Sequence, residues 1–125
     1  MDFREYIEET KENAKEYIKE NWEYLKDKTG EEIQDDLFVA DEVTGNGSGS
    51  FTFNTYEAKQ NVAELMFDED FVNALKWNFG QDLGELIQKG PESVDVTARC
   101  LALYEFDINE IIEEVKEEQE EEQEE

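Results

Sequence analysis

Length, composition and charge narrow what this chain can do. It has 125 residues and a formal net charge of −25, from 36 acidic and 11 basic residues, and it contains no histidine. A field of this sign repels nucleic acids, anionic membrane surfaces and phosphate ligands. Catalytic triads and metal sites that need histidine are excluded.

The acidity belongs to the body of the chain as well as to its C-terminal end. Residues 113–125 hold nine Glu and one Lys, which gives −8 and leaves −17 (−25 minus −8) for the rest. Such a body attracts basic protein surfaces, including those that proteins use to hold nucleic acid.

The N-terminal segment predicts one long amphipathic helix over about residues 3–28. Asp2 and Glu5 have the spacing of a capping box, and apolar residues then recur at steps of three and four. Gly30 lies where a C-terminal cap is expected.

The outer face of this helix predicts ion pairs between neighbouring turns. Glutamates form one stripe along the helix, and Lys11, Lys15 and Lys19 form a narrower stripe beside it. Glu12 with Lys15, and Glu16 with Lys19, are at helical contact spacing.

The next segment predicts a β-hairpin over about residues 37–54. Phe38, Val39 and Val43 favour strands, as do Phe51, Thr52 and Phe53. The glycine-rich segment 45–50 between them supplies a long turn. A phosphate-binding loop is disfavoured, because no lysine follows these glycines.

The rest of the chain predicts further helices. We expect them over about 55–67, from Asp68 to Gly80, and from Asp82 until the Gly90–Pro91 stop. Residues 93–105 are apolar on most sides and should form the core helix, capped by Ser93. Residues 93–116 are one helix or two.

The predicted fold class is therefore α+β and mainly α. It comprises about five or six helices and the single hairpin, in one domain over residues 1–116. Residues 117–125 are predicted to be a disordered or frayed acidic tail that folding does not need.

Few single residues of the sequence indicate a chemical activity. Cys100 lies among apolar residues and is expected to be buried and inert. Trp22, Tyr24 and Trp77 favour burial in the core over a role as interface anchors. No signal-peptide pattern, no apolar run of membrane length and no disulfide pair are present, which predicts a cytoplasmic protein.

Two stretches resemble a known family. Residues 43–54 (Val-Thr-Gly-Asn-Gly-Ser-Gly-Ser-Phe-Thr-Phe-Asn) and 95–100 (Asp-Val-Thr-Ala-Arg-Cys) are similar to small acidic proteins from phages and mobile elements of Firmicutes. The resemblance covers about a quarter of the chain and implies no catalytic residue. It associates the chain with anti-CRISPR and antirestriction inhibitors, several of which imitate the charge of DNA.

These observations predict a non-enzymatic DNA mimic in the cytoplasm of a bacterial host. It would occupy the basic nucleic-acid cleft of a defence nuclease, such as Cas9, another CRISPR effector or a restriction enzyme, without binding nucleic acid or membrane itself. The alternative is an acidic protein–protein interaction module or an oligomer subunit of a phage or mobile element, and an enzyme is the least favoured class.

No catalytic residue, cofactor or metal ligand is predicted. The predicted partner-binding residues are carboxylates from three segments of the chain: Glu9, Glu12, Glu16, Glu20, Glu23, Asp35, Asp36, Asp41, Glu42, Asp68, Glu69 and Asp70.

Overall fold

The computed structural model describes residues 1–44 and 55–124, but not the side chains of residues 41, 55–58 and 121–124. Over these ranges the chain is helical. The nine described α-helices are α1 (Phe3–Glu20), α2 (Trp22–Leu25), α3 (Gly30–Val39), α4 (Asp41–Thr44), α5 (Thr55–Val62), α6 (Glu69–Phe79), α7 (Leu83–Ile87), α8 (Pro91–Ala102) and α9 (Ile108–Glu124). A 3₁₀ helix, Ala63–Phe67, joins α5 to α6.

The predicted α+β class is wrong, because the first half of the predicted hairpin is helical. Ile33, Leu37, Ala40 and Val43 are all buried, at steps of three and four. That is the period of a helix face and not the alternation of a strand. The strand preference of Phe38 and Val39 is therefore overridden by packing. The second half of the predicted hairpin, 45–54, lies outside the described residues.

The first helix is shorter than predicted. α1 ends at Glu20, and the side chain of Asn21 donates a hydrogen bond to the Tyr17 carbonyl at 2.9 Å. Gly30 begins α3 instead of ending α1, since Thr29 is the N-cap of α3 and forms a full capping box with Glu32. A side chain at position 30 would collide with Asn109 at the start of α9.

Several predicted helix ends are confirmed. The Asp68 carboxylate caps α6, which ends at Gly80 in the left-handed conformation. Asp82 caps α7 through the Glu85 amide. Residues 93–116 form two helices, since α8 ends at Ala102 and α9 begins at Ile108. The predicted Ser93 cap is wrong, because α8 already begins at Pro91.

The hydrophobic core consists of two clusters, and α1 runs along both. The first half of α1 packs with α5, the 3₁₀ helix, α6, α7 and α8. The second half of α1 packs with α2, α3, α4 and α9. α8 is the central helix of the first cluster, as predicted, with Val94, Ala98 and Leu101 all buried. α1 is thus packed along its inner side and keeps an outer side for solvent.

The C-terminal segment predicted to be a separate tail is continuous with the domain's last helix. α9 extends to Glu124, and its apolar residues Ile108, Ile111 and Val115 join the second cluster. Among the described residues, no helix combines the length and apolarity needed to cross a membrane. The independence of residues 117–125 from folding stays a prediction.

Candidate partner-binding surface

Two of the three lysines of α1, Lys15 and Lys19, bind α9 and not the neighbouring turns of their own helix. Lys15 Nζ lies 3.4 Å from a carboxylate oxygen of Glu114 and 3.0 Å from one of Glu118. Lys19 Nζ lies 3.1 Å from the other Glu118 oxygen. These bonds raise the pKa of Lys15 and lower that of Glu118. The predicted Glu12–Lys15 and Glu16–Lys19 pairs are wrong, because α9 offers each lysine a better partner.

Three of the exposed carboxylates of α1 form a row in the second half of the helix. Glu12, Glu16 and Glu20 are all exposed, and none forms an ion pair with a described residue. They follow one another at four-residue steps, about 6 Å apart along the helix axis. We call these three residues the acidic face.

Glu9 was predicted to share this face, but it serves the fold. It is half-buried, and its carboxylate lies 3.1 Å from a terminal guanidinium nitrogen of Arg99 on α8. Arg99 is 3% exposed and also binds Asp95, itself 1% exposed, through its Nε at 3.0 Å. The Tyr6 hydroxyl donates a 2.7 Å hydrogen bond to the same Asp95 carboxylate.

Tyr6, Glu9, Asp95 and Arg99 form a network in which opposite charges and hydrogen bonds offset the cost of burial. Burial opposes the charge on Arg99, but attraction to Asp95 and Glu9 outweighs it, so the pKa of Arg99 is raised. Burial, together with the Asp95 charge, raises the pKa of Tyr6 well above its ordinary value. The Arg99 guanidinium also lies 5.3 Å from the Tyr6 ring centre. Such a compensated network is structural, since no member is left to bind a ligand.

Two further predicted site residues are paired within the fold. Glu23 lies 2.9 Å from Lys26, on the exposed surface. Asp36 lies 3.0 Å from Lys28, whose ammonium also donates to the Tyr24 hydroxyl. Hydrogen bonds to Tyr24 and Asp36 raise the pKa of Lys28.

Acidic groups from α3 and α4 lie beside α1. Burial raises the pKa of Tyr17 on α1, and the nearby charges of Asp36 and Glu42 raise it further. Asp35 and Glu42 are exposed. Asp36 on α3 and Glu42 on α4 therefore lie near Tyr17 on α1. The predicted Asp41 begins α4, and its side chain lies outside the described residues.

The three predicted carboxylates at the start of α6, Asp68, Glu69 and Asp70, also differ in whether they bind within the fold. Asp68 Oδ2 accepts a 2.8 Å hydrogen bond from the Phe3 amide, and Oδ1 accepts from the Asp70 and Phe71 amides. Asp68 therefore ties α1 to α6. Glu69 and Asp70 are exposed in the first turn of α6 and favour its dipole.

Trp22, Tyr24 and Trp77 were predicted to be buried in the core, and the prediction is wrong for two of them. Trp22 is half-buried against the second cluster, as predicted. Tyr24 and Trp77 are 62% and 89% exposed, and Phe67, which the sequence did not single out, is 91% exposed. Helical periodicity indicates that Trp77 faces solvent. Residues two positions apart lie on nearly opposite sides of a helix, and Leu75 is buried.

Two other groups of the described residues are the Cys100 thiol and a cluster of surface carboxylates. Burial raises the pKa of the Cys100 thiol to about 11, although its contact with Thr44 lowers it. Such a thiol carries almost no nucleophilic thiolate at neutral pH. The carboxylates of Asp2, Glu5 and Glu64 approach one another at the surface, but Asp2 caps α1 through the Glu5 amide.

Comparisons with known proteins do not place the chain in a family. No protein-family model, no curated protein and no solved structure matches it.

Proposed function

We propose that this protein is a non-enzymatic inhibitor that binds the basic nucleic-acid cleft of a host defence nuclease, as a DNA mimic. The partner class is a CRISPR effector, such as Cas9, or a restriction enzyme, and the compartment is the bacterial cytoplasm. Carboxylates replace phosphates, so that binding releases the same counterions from the partner's lysines and arginines.

The observation that carries this proposal is the acidic face of α1. Glu12, Glu16 and Glu20 are exposed, and Lys15 and Lys19, which follow Glu12 and Glu16 at pairing distance along the helix, bind α9 instead. Carboxylates at four-residue spacing repel one another and weaken a helix, by about 0.2–0.5 kcal/mol a pair. An arrangement that costs stability and leaves charge facing outward is well suited to binding an oppositely charged surface.

Charge density shows that α1 cannot act alone. One DNA strand carries a phosphate about every 3.4 Å of helix axis, whereas the acidic face carries a carboxylate about every 6 Å. The row on α1 therefore has only about half the linear charge of one strand. The exposed carboxylates of Asp35 on α3 and Glu42 on α4 would supply further negative charge.

The test compares two variants of equal charge. The first combines Glu12→Gln, Glu16→Gln and Glu20→Gln. The control combines Glu31→Gln, Glu110→Gln and Glu113→Gln, which are also exposed, so both variants carry −22 (−25 plus 3). A nuclease captured by the wild-type protein from host lysate is then tested for binding to each variant, with duplex DNA as competitor.

We expect the acidic-face variant to lose binding while the control keeps it, and DNA to displace the wild-type protein. Each exposed pair contributes only about 0.2–1 kcal/mol, so single substitutions should have little effect. A further variant with Asp35→Asn and Glu42→Gln should weaken binding less than the acidic-face variant does. Equal binding by the acidic-face and control variants would contradict the proposal.

The second candidate is an acidic protein–protein interaction module anchored by apolar contacts. It is favoured by the exposure of Phe67 and Trp77, since aromatic residues contribute strongly at protein interfaces. For such a module DNA would not compete, and Trp77→Ala would abolish capture of the same partner.

A further inference from the structure

We propose that the exposed side of α6 is a docking surface for a basic amphipathic helix of a partner protein. This surface is distinct from the acidic face and does not depend on the proposed inhibition. Among the described residues, Phe67 and Trp77 are the most exposed large apolar side chains, at 91% and 89%. Phe67 ends the 3₁₀ helix just before α6, and Trp77 lies near the end of α6. α6 rises about 12 Å from Glu69 to Trp77, and Phe67 lies two residues before Glu69, so the two aromatic residues are about 15 Å apart.

The Trp77 end of α6 opens onto an apolar cleft of about 720 Å³ between α6 and the start of α1. Its apolar wall consists of Phe3, Ile7, Ala74 and Trp77. Its charged lining residues balance, with two of each sign: Arg4, Lys76, Asp70 and Glu105. The cleft is therefore suited to an uncharged apolar side chain.

The Phe67 end of this surface is acidic, whereas the charges at the Trp77 end balance. Phe67 lies in a hollow of about 400 Å³ whose other lining residues are all acidic: Asp2, Glu64, Asp68, Glu69 and Asp70. The nearby N-terminal ammonium donates to the Asn61 carbonyl at 2.8 Å. A guanidinium or ammonium group could lie over the Phe67 ring while the carboxylates bind its N–H groups.

Together the two ends define the chemistry of the occupant. It carries a cationic side chain and an apolar side chain about 15 Å apart, which corresponds to positions i and i+10 of an α-helix. A groove between two helices accepts an amphipathic helix in this manner. Charge complementarity favours a basic partner over a second copy of this chain, because each copy carries −25.

The probe is a synthetic, alanine-rich helical peptide with two arginines in its first turn and two leucines ten and eleven residues later. One control peptide has the leucines only four residues after the arginines, and another has alanine in place of the leucines. Binding of fluorescently labelled peptides to the full chain is measured by anisotropy at physiological ionic strength.

We expect the first peptide to bind at least about tenfold more tightly than either control. Trp77→Ala and Phe67→Ala should each weaken it by roughly thirtyfold, as expected for interface anchors. The matched control is Tyr24→Ala, because Tyr24 is 62% exposed and belongs to the other half of the molecule. Circular dichroism should show that all three variants melt like the wild-type protein.

Several results would overturn the proposal. These are no binding of the first peptide up to millimolar concentration, equal binding of all three peptides, and equal affinity of wild type and the Trp77 variant. Concentration-dependent dimerisation that Trp77→Ala abolishes would assign the surface to a second copy instead. The acidic-face variant should bind the peptide normally, so failure here and failure of the proposed inhibition are separate results.

Discussion

Two glutamates of α1 have opposite roles, although they are seven residues apart and therefore lie on the same stripe of the helix. Glu9 points toward α8, where a guanidinium buried to 97% binds it and Asp95. Glu16, two turns later, faces solvent, and within the described part of the chain no cation binds it. One carboxylate is part of the architecture, whereas the other is available to a partner.

The difference shows that the role of a glutamate on α1 depends on whether a basic side chain is positioned to bind it. Where a basic side chain is held by tertiary packing, the carboxylate beside it stabilises the fold. Where the basic side chain is drawn to another helix, as Lys15 and Lys19 are drawn to α9, the acids left behind destabilise the helix slightly and become a surface. Substitutions in the buried network and substitutions on the acidic face should therefore have opposite effects on stability.

The largest effect is expected for Arg99→Met on the buried side. The substitution leaves Asp95 charged, 1% exposed and without its cation. Removing one partner of a buried ion pair costs about 3–5 kcal/mol. Urea unfolding followed by circular dichroism measures the loss, and the exposed Arg4→Met serves as the control with about 0.5 kcal/mol or less. A loss below about 1 kcal/mol would show that the network is not structural.

A smaller loss is expected for Tyr6→Phe. The ring and its contact with Arg99 remain, but the 2.7 Å hydrogen bond from the hydroxyl to Asp95 is removed. A hydrogen bond to a charged group contributes about 1.5–3 kcal/mol. The same unfolding experiment measures it, with Tyr104→Phe as the control, because Tyr104 is 49% exposed. Equal stability of the Tyr6 variant and wild type would contradict the network as described.

The contact between α1 and α9 should give a pH-dependent effect. Lys15 and Lys19 lower the pKa of Glu118 in the folded protein below its ordinary value of 4.5. Because the pKa of Glu118 is lower in the folded than in the unfolded protein, its ionised form stabilises the fold. This stabilisation is fully present above the pKa of the unfolded state and is lost as the pH falls through the pKa of the folded state. Glu118→Gln should therefore melt slightly earlier than wild type at pH 7.

The two melting temperatures should converge as the pH falls below 4.5 and through the lowered pKa of Glu118, which thermal melts in a pH series would show. A difference that persists unchanged at pH 3 would mean that Glu118 stabilises the fold without its charge. No difference at any pH would support the predicted independence of residues 117–125 from folding.

The smallest effect, and one of opposite sign, is expected for the acidic face. The combined Glu12→Gln, Glu16→Gln and Glu20→Gln variant removes two repulsive pairs at i, i+4 spacing. Relief of about 0.2–0.5 kcal/mol a pair should leave stability unchanged or raised by up to about 1 kcal/mol. A clear loss in urea unfolding would show that these carboxylates have structural partners after all.

The sequence was informative where a local signal determines the structure. Asp68, Asp82 and Gly80 were identified as helix ends because side-chain caps and left-handed glycines act within one turn. The helical course of residues 37–44 was missed because strand preference was given more weight than the spacing of Leu37, Ala40 and Val43, which already followed a helix face.

The candidate surface was predictable only in part. The stripe of glutamates on α1 follows from spacing alone, but the removal of Lys15 and Lys19 from it depends on α9, nearly a hundred residues later. The buried pair Asp95 and Arg99 had a sequence signal that was not used, namely opposite charges four residues apart on an otherwise apolar helix. The role of Glu9 depends on that pair and on tertiary packing.

The salt dependence of partner binding tests the central claim most directly. Affinity of the captured nuclease is measured between about 50 and 200 mM salt for the wild-type protein, the acidic-face variant and the −22 control. If the acidic face replaces phosphates, the logarithm of affinity falls steeply with the logarithm of salt, and the slope is reduced by up to about three for the acidic-face variant alone. Equal slopes for the two variants would contradict the account.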